Sequence, residues 1–86
     1  MITLLAIDPI FAFAFYADDA KNIKFMYGEG FEIHESNQED MDAELDIEYY
    51  TLTDKQFQDE TALHEYVMKE HATAIGKLED EWDIHT

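Results

Sequence analysis

Apolar and β-branched residues dominate the first third of the chain, in segments of strand length. These segments are Ile2 to Ile7, Ile10 to Ala17, Ile23 to Tyr27 and Phe31 to Glu35. In the second segment, Phe11, Phe13 and Phe15 fall on one face of a strand. Asp8-Pro9 interrupts the first pair of segments, and Gly28-Glu29-Gly30 is a short turn between the last pair. The pattern predicts an antiparallel meander.

The last third of the chain predicts one long helix. Asp59 is the expected N-cap, and Glu60 lies in the first turn beside the positive end of the helix dipole. Apolar positions at helical spacing form one stripe, which consists of Leu63, Val67, His71, Ala74, Ile75, Leu78 and Trp82. Gly76 interrupts this stripe and predicts an end or a bend of the helix there.

These elements predict a single α+β domain over residues 1–86. We expect an antiparallel β-meander of about four strands with one long C-terminal helix packed on one face. A chain of 86 residues builds only a small core, because such a short chain buries about 60% of its unfolded surface.

Residues 40–49 alternate strictly between acidic and apolar side chains. The acidic positions are Asp40, Asp42, Glu44, Asp46 and Glu48, and the apolar ones are Met41, Ala43, Leu45, Ile47 and Tyr49. This period of two predicts a strand that continues through Tyr50 to Thr53. A helix competes, because Ser36 and Glu39 have capping-box spacing and three of the apolar residues lie four apart. We favour the strand, since a helix would leave Ala43 and Ile47 outside its apolar stripe.

The chain is strongly acidic. It has 21 Asp and Glu residues against five lysines, and its net charge is −16. Such a charge repels nucleic-acid backbones and anionic membranes and favours a basic partner. No apolar run approaches the roughly 20 residues of a membrane span, and the N-terminus lacks the basic region of a signal peptide. We expect a cytoplasmic protein that binds neither membranes nor nucleic acid directly.

Motifs for catalysis or metal binding are scarce. The absence of cysteine excludes disulfides and thiolate chemistry. His64 and His71 lie seven residues apart, about 10 Å along a helix, which is too far for one zinc ion. We expect His71 to be partly buried, and His64, His34 and His85 to lie at the surface. We expect no enzymatic activity, no cofactor and no metal site.

One acidic segment does have the carboxylate spacing of a calcium loop. Asp40-Met41-Asp42-Ala43-Glu44 matches the first positions of an EF-hand loop. Leu45 stands where the sharp turn of that loop requires glycine. The apolar residues between the acids are typical of a packed element, so we do not predict a dedicated calcium site.

The most specific feature is a run of acids without any lysine or arginine. The nine acids are Glu29, Glu32, Glu35, Glu39, Asp40, Asp42, Glu44, Asp46 and Glu48. Same-face residues of a strand lie about 6.7 Å apart, which is the scale of neighbouring phosphates along a nucleic acid. A groove that contacts phosphates through Lys and Arg could accept such a row. We predict that these acids and Tyr50 bind a partner, with Tyr16 and Met26 as further anchors.

In size, charge and this acidic segment, the chain resembles the DNA-mimic inhibitors of bacteriophages and mobile elements, which include anti-restriction and anti-CRISPR proteins. The resemblance rests on residues 29–48 and on the acidic surface of the C-terminal helix, without an aligned motif. It implies non-catalytic occupation of the DNA- or RNA-binding channel of a basic host-defence protein, either a CRISPR-Cas or a restriction complex, in the host cytoplasm.

Two other functions are compatible with the same residues. One is an immunity protein or antitoxin that blocks a basic nuclease through the same electrostatics. The other is a small metal-binding or enzymatic domain that uses the carboxylates. The sequence also leaves a homodimer open.

Overall fold

The computed structural model describes residues 1–47 and 49–84, with side chains as far as residue 80. The strands are β1 (Ile2–Asp8), β2 (Phe13–Ala17), β3 (Ile23–Tyr27), β4 (Glu32–Glu35), β5 (Thr51–Leu52) and β6 (Gln56–Phe57), and the helices are α1 (Gln38–Ile47) and α2 (Glu60–Ile84). The strands form one antiparallel sheet in the order β4-β3-β2-β1-β5, and β6 also pairs with β1. The predicted α+β class, four-stranded meander and long C-terminal helix are confirmed. The short strand β5 lies within the strand predicted through Tyr50 to Thr53, and the short strand β6 and the helix α1 come in addition.

A β-bulge interrupts β1, the strand that lies between β2 and the short strands β5 and β6. Leu4 and Ala6 pair with consecutive residues of β2, so Leu5 is an extra residue between them. On the other side of β1, the chain also departs from regular pairing. There Leu4 N donates to the Lys55 carbonyl at 2.8 Å, and Thr53 N donates to the Leu5 carbonyl at 3.0 Å. This irregular stretch separates β5 from β6.

Helix α2 closes one face of the sheet, which we call the α2 face. Leu63 and Val67 are fully buried there. They pack with side chains from the strands and one turn, namely Ile2, Leu4, Ile7, Ala12, Ala14, Tyr16 and Met26. The predicted docking of the helix through its apolar stripe is therefore confirmed for these two residues.

The predicted start of α2 is confirmed, whereas an end at Gly76, one of the two alternatives expected there, is wrong. The Asp59 carboxylate accepts a hydrogen bond from Ala62 N at 2.9 Å, which is the geometry of an N-cap. The helix does not end at Gly76, since it continues to Ile84. The side chain of Trp82, the last member of the predicted stripe, lies outside the described residues.

The predicted strand over residues 40–49 is wrong, because α1 occupies most of this segment. Asn37, rather than Ser36, is the N-cap: its side-chain oxygen accepts a hydrogen bond from Asp40 N at 2.8 Å. Glu39 and Asp40 lie in the first turn, where the helix dipole favours negative charge. Asp and Glu also disfavour strands. These local preferences outweigh the period of two.

Helix α1 covers only part of the opposite face of the sheet, which we call the α1 face. Met41 is buried and packs with Ala6 and Phe15. Half-buried side chains surround this cluster, namely Leu5, Phe13, Ile23, Phe25, Leu45 and Tyr50. Ala43 and Ile47 are exposed, as a helix in this segment requires. The sheet is therefore apolar on both faces, and only one face is closed.

Candidate protein-binding surface

Helix α1 carries five carboxylates among its ten residues, and all five are exposed. At about 100° per residue, Glu39, Asp42 and Asp46 form an outer row along the helix. Asp40 and Glu44 form an inner row, on the side of α1 that borders the open part of the sheet. The flat acidic row expected of a strand is thus divided into two rows on a cylinder.

A cleft of about 410 Å³ separates the inner row from the sheet. Its lining residues are Phe13, Phe15, Phe25, Glu35, Ser36, Asp40, Ala43 and Glu44. The rings of Phe13 and Phe25 stack with centroids 5.0 Å apart. Phe15 meets them edge-on, at 5.2 Å from Phe13 and 5.8 Å from Phe25. Aromatic rings therefore line the sheet side of the cleft, and carboxylates line the helix side.

The aromatic surface continues from the cleft across β3 to β4. The ring of His34 stacks on those of Phe25, at 5.1 Å, and Tyr27, at 5.6 Å. A hydrogen bond to Glu32 raises the pKa of Tyr27, because the ionised phenolate would lose that bond. The negative charge of Glu32 adds to the effect. Carboxylates thus adjoin aromatic rings at this end of the surface as well.

Two smaller hollows extend the cleft towards the turn between β1 and β2. One, of about 260 Å³, shares Phe13 and Glu44 with the cleft and also contacts Phe11 and Tyr50. The other, of about 310 Å³, is lined in part by Phe11 and Tyr49. Phe11 is 70% exposed and Tyr49 is 95% exposed. Large exposed aromatic side chains bordered by charge are typical of surfaces that contact proteins.

The structure divides the predicted partner-binding residues among three elements. Glu29 lies in the turn before β4, Glu32 and Glu35 lie on β4, and Glu39, Asp40, Asp42, Glu44 and Asp46 lie on α1. Glu48 lies outside the described residues. Tyr50 is half-buried, with its ring centroid 6.0 Å from Phe13 and 5.9 Å from Phe15. Of the acids, Glu35, Asp40 and Glu44 come together at the cleft.

Two predicted anchors are wrong, since Tyr16 and Met26 do not share the acidic surface. Both are fully buried in the core under α2. Burial raises the pKa of Tyr16 well above its usual range, and its hydroxyl donates to Glu60 at 3.5 Å. Alternation along β2 explains the error, because it turns Tyr16 towards α2 and Phe15 towards α1.

Sequence reasoning missed the aromatic lining of the cleft. The signal was present, since Phe13 and Phe15 were expected on one face of β2. The pattern did not predict the position of α1. That position places these rings at the border of an open cleft. Phe25 joins them because it is paired with Phe15 across β2 and β3.

The histidines attach α2 to two turns of the sheet. Nε2 of His64 donates to the carbonyl oxygen of Gly28 at 3.0 Å, and Nδ1 of His71 donates to that of Pro9 at 2.7 Å. His71 is partly buried, as predicted, but so is His64, whose predicted surface position is wrong. His34 is exposed as predicted. His85 lies outside the described residues.

Comparison of the chain with protein-family models, with curated proteins and with solved structures finds no match. Among the side chains that the structure describes, in residues 1–47 and 49–80, no three of His, Asp or Glu are grouped so that they could hold a metal ion. None of the helices in that part of the chain is both long and apolar enough to cross a membrane.

Proposed function

We propose that the protein is a non-catalytic inhibitor that imitates nucleic acid and occupies the DNA- or RNA-binding channel of a basic protein. The observation that carries this proposal is the density of exposed negative charge on α1. From Glu39 to Asp46, five carboxylates follow one another over seven residue steps, or about 10.5 Å of helix axis. That is one charge about every 2.6 Å along the axis, between about 1.7 Å for duplex DNA and about 3.4 Å for one strand of that duplex.

This charge is available to a partner. Among the described residues, the ion pairs join the Met1 amine to Asp19 and Lys24 to Asp18, and neither involves α1. The carboxylates of α1 are therefore not neutralised by any lysine in that part of the chain. A channel that binds phosphates through Lys and Arg would meet a similar density of charge on α1.

The exposed aromatic residues favour a protein as the partner of this surface. Phe11 and Tyr49 extend the apolar part of the surface beside the acids. Aromatic side chains are enriched among the residues that contribute most to protein–protein affinity. Nucleic acid itself is a poor partner, because the net charge of −16 repels phosphates.

The resemblance to DNA-mimic inhibitors supports a restriction or CRISPR-Cas complex as the proposed target. An immunity protein or antitoxin would use the same surface against a nuclease. The two differ in the identity of the protein that binds, which the experiment below determines.

The test begins with capture of proteins from a bacterial lysate on the immobilised chain, followed by elution with duplex DNA or single-stranded RNA. Each eluted protein is then purified, and its binding to labelled nucleic acid is measured by gel shift. We expect the chain to compete with nucleic acid for that protein, and not to shift nucleic acid by itself. A ternary complex, or micromolar binding of the chain alone to nucleic acid at physiological salt, contradicts the proposal.

Two matched variants test whether α1 supplies the charge. The first changes the outer row to Glu39→Gln, Asp42→Asn and Asp46→Asn. The control removes three exposed charges from α2 as Glu65→Gln, Glu79→Gln and Asp80→Asn. We expect the first variant to associate with the purified partner about tenfold more slowly, with a weaker dependence on salt, because exposed charges steer encounter. Equal effects of the two variants would show that α1 is not the interface.

A further inference from the structure

The cleft beside α1 combines two kinds of chemistry that one type of side chain can satisfy together. Phe13, Phe15 and Phe25 line its sheet side, and the inner row, Asp40 and Glu44, lines its helix side. An anionic group would be repelled by the carboxylates. Asp40 already accepts a hydrogen bond from Asn37 Nδ2 at 3.2 Å. A purely apolar group would still separate both charged carboxylates from water. The lining therefore favours a cation that also has an apolar or planar surface.

We propose that this cleft binds one arginine side chain of the basic partner. The inference rests on the proposed function, since it assigns to that partner a specific contact within the same surface. The guanidinium lies between the phenylalanine rings and the inner row, where Asp40 and Glu44 accept its hydrogen bonds. The rest of the partner lies over the outer row and the exposed Phe11 and Tyr49.

The geometry of the inner row suits a guanidinium. Asp40 and Glu44 are four residues apart on a helix, so their Cβ atoms are about 5–6 Å apart on one side of it. A guanidinium has five N–H donors in one plane and can donate to two carboxylates at once. It is weakly hydrated and stacks on aromatic rings, which an ammonium group does less well. Arginine therefore fits the cleft better than lysine does.

The charge of the chain excludes the other occupants. A second copy of this chain would bring a net charge of −16 and no arginine. A nucleic-acid phosphate would meet Asp40, Glu44 and Glu35 at the lining. A basic protein is the occupant whose charge is complementary both to the cleft and to the outer row of α1.

The test uses N-acetyl-arginine methylamide as the probe and follows the amides and aromatic rings of the labelled chain by NMR. We expect saturable shifts at Ala43, Phe13 and Phe25, with a dissociation constant on the order of 1–10 mM. N-acetyl-citrulline methylamide, which has nearly the same shape without the charge, should cause no saturable shift. N-acetyl-lysine methylamide should bind about threefold more weakly or worse. Equal binding of the citrulline or lysine probe overturns the proposal.

Three variants locate the binding of the probe. Ala43→Trp places a large side chain in the cleft from an exposed helical position, so it should abolish binding without loss of fold. Glu44→Gln should weaken binding about two- to fivefold, as expected for an exposed ion pair. The control, Asp46→Asn, removes the same charge from the outer row and should leave binding within about 1.5-fold of the parent chain. Unchanged binding in Ala43→Trp, or equal losses in Glu44→Gln and Asp46→Asn, contradicts the proposal.

This experiment needs no partner, so its failure can be separated from failure of the proposed function. If the probe does not bind but the outer-row variant still weakens association with a nucleic-acid-binding partner, the cleft inference is wrong and the function stands. If the probe binds but no captured protein competes with nucleic acid, the cleft is an arginine site and the proposed function is wrong.

Discussion

Both faces of the sheet carry large apolar side chains, but α2 closes its face while α1 leaves its face partly open. Under α2, the side chains of Leu63, Val67 and Tyr16 are excluded from solvent, and two histidines bind the helix to turns of the sheet. Beside α1, Met41 and Phe15 are buried, but the half-buried Phe13 and Phe25 lie at an open cleft. The α2 face therefore contributes most of the buried core, whereas the α1 face leaves aromatic side chains accessible.

The difference also explains why so much acid is tolerated. Negative charge concentrated on α1 lies on an element that contributes little to the closed core. Self-repulsion there therefore loosens the open face before it affects the packing under α2. Three predictions test this contrast.

The largest expected effect is loss of packing under α2. Leu63→Ala should lower the free energy of unfolding by about 3–4 kcal/mol, because the side chain is fully buried and leaves a cavity. Leu45→Ala, the matched change on the α1 face, should cost about 1–2 kcal/mol, since Leu45 is only half-buried. Urea denaturation of the parent chain and of the two variants measures both changes in the free energy of unfolding. Equal losses would show that the α1 face is a second core rather than an open surface.

A smaller contrast is expected between two histidines. His71→Ala removes the donor to the Pro9 carbonyl and some packing, and should cost about 1–2 kcal/mol. His34→Ala removes an exposed ring from the α1 face and should cost less than about 0.5 kcal/mol. Thermal unfolding at one pH compares the two variants. If His34→Ala is the more damaging, the stacked aromatic surface contributes to stability and is not free for binding.

The smallest expected effect is a change in the pKa of a tyrosine, and it compares Tyr27 on the α1 face with Tyr16 on the α2 face. Tyr27 should ionise above its ordinary pKa, and Glu32→Gln should move its midpoint down towards that value, because the hydrogen bond and the negative charge are weakened. Glu29→Gln is the control, since Glu29 does not contribute to the shift. NMR of ring-labelled tyrosine follows Tyr27 and Tyr16 separately. Tyr16 should remain protonated as long as the α2 face is closed, and its ionisation in the folded chain would contradict that closure.

The sequence predicted the closed face better than the open one. The stripe that includes Leu63 and Val67, the Asp59 cap and the four strands of the meander all follow from periodicity and capping chemistry. Each of these signals acts between residues that are close in the chain or that repeat on one face. Local sequence signals therefore determine the strands and the helix of this half of the molecule, and the observed packing agrees with the preferences of these segments.

The open face was harder to predict because two local signals conflict there. The alternation of acidic and apolar residues from Asp40 to Tyr49 predicts a strand, whereas the cap at Asn37 and the acids of the first turn favour a helix. The helical period then decides which carboxylates border the cleft and which face outwards. The cleft itself depends on where α1 lies across β2 and β3, which no local pattern determines.

The bulge at Leu5 has a consequence for how the protein behaves at high concentration. Where β1 is irregular, the neighbouring edge of the sheet is divided into β5 and β6, which have two residues each. Edge strands this short offer little template for another chain. The opposite edge, β4, carries Glu32 and Glu35, so a second copy that paired there would bring like charges together. Both edges therefore oppose edge-to-edge pairing of strands between two copies of the chain. The aromatic surface on the α1 face can then stay exposed while the strand edges do not lead to polymerisation.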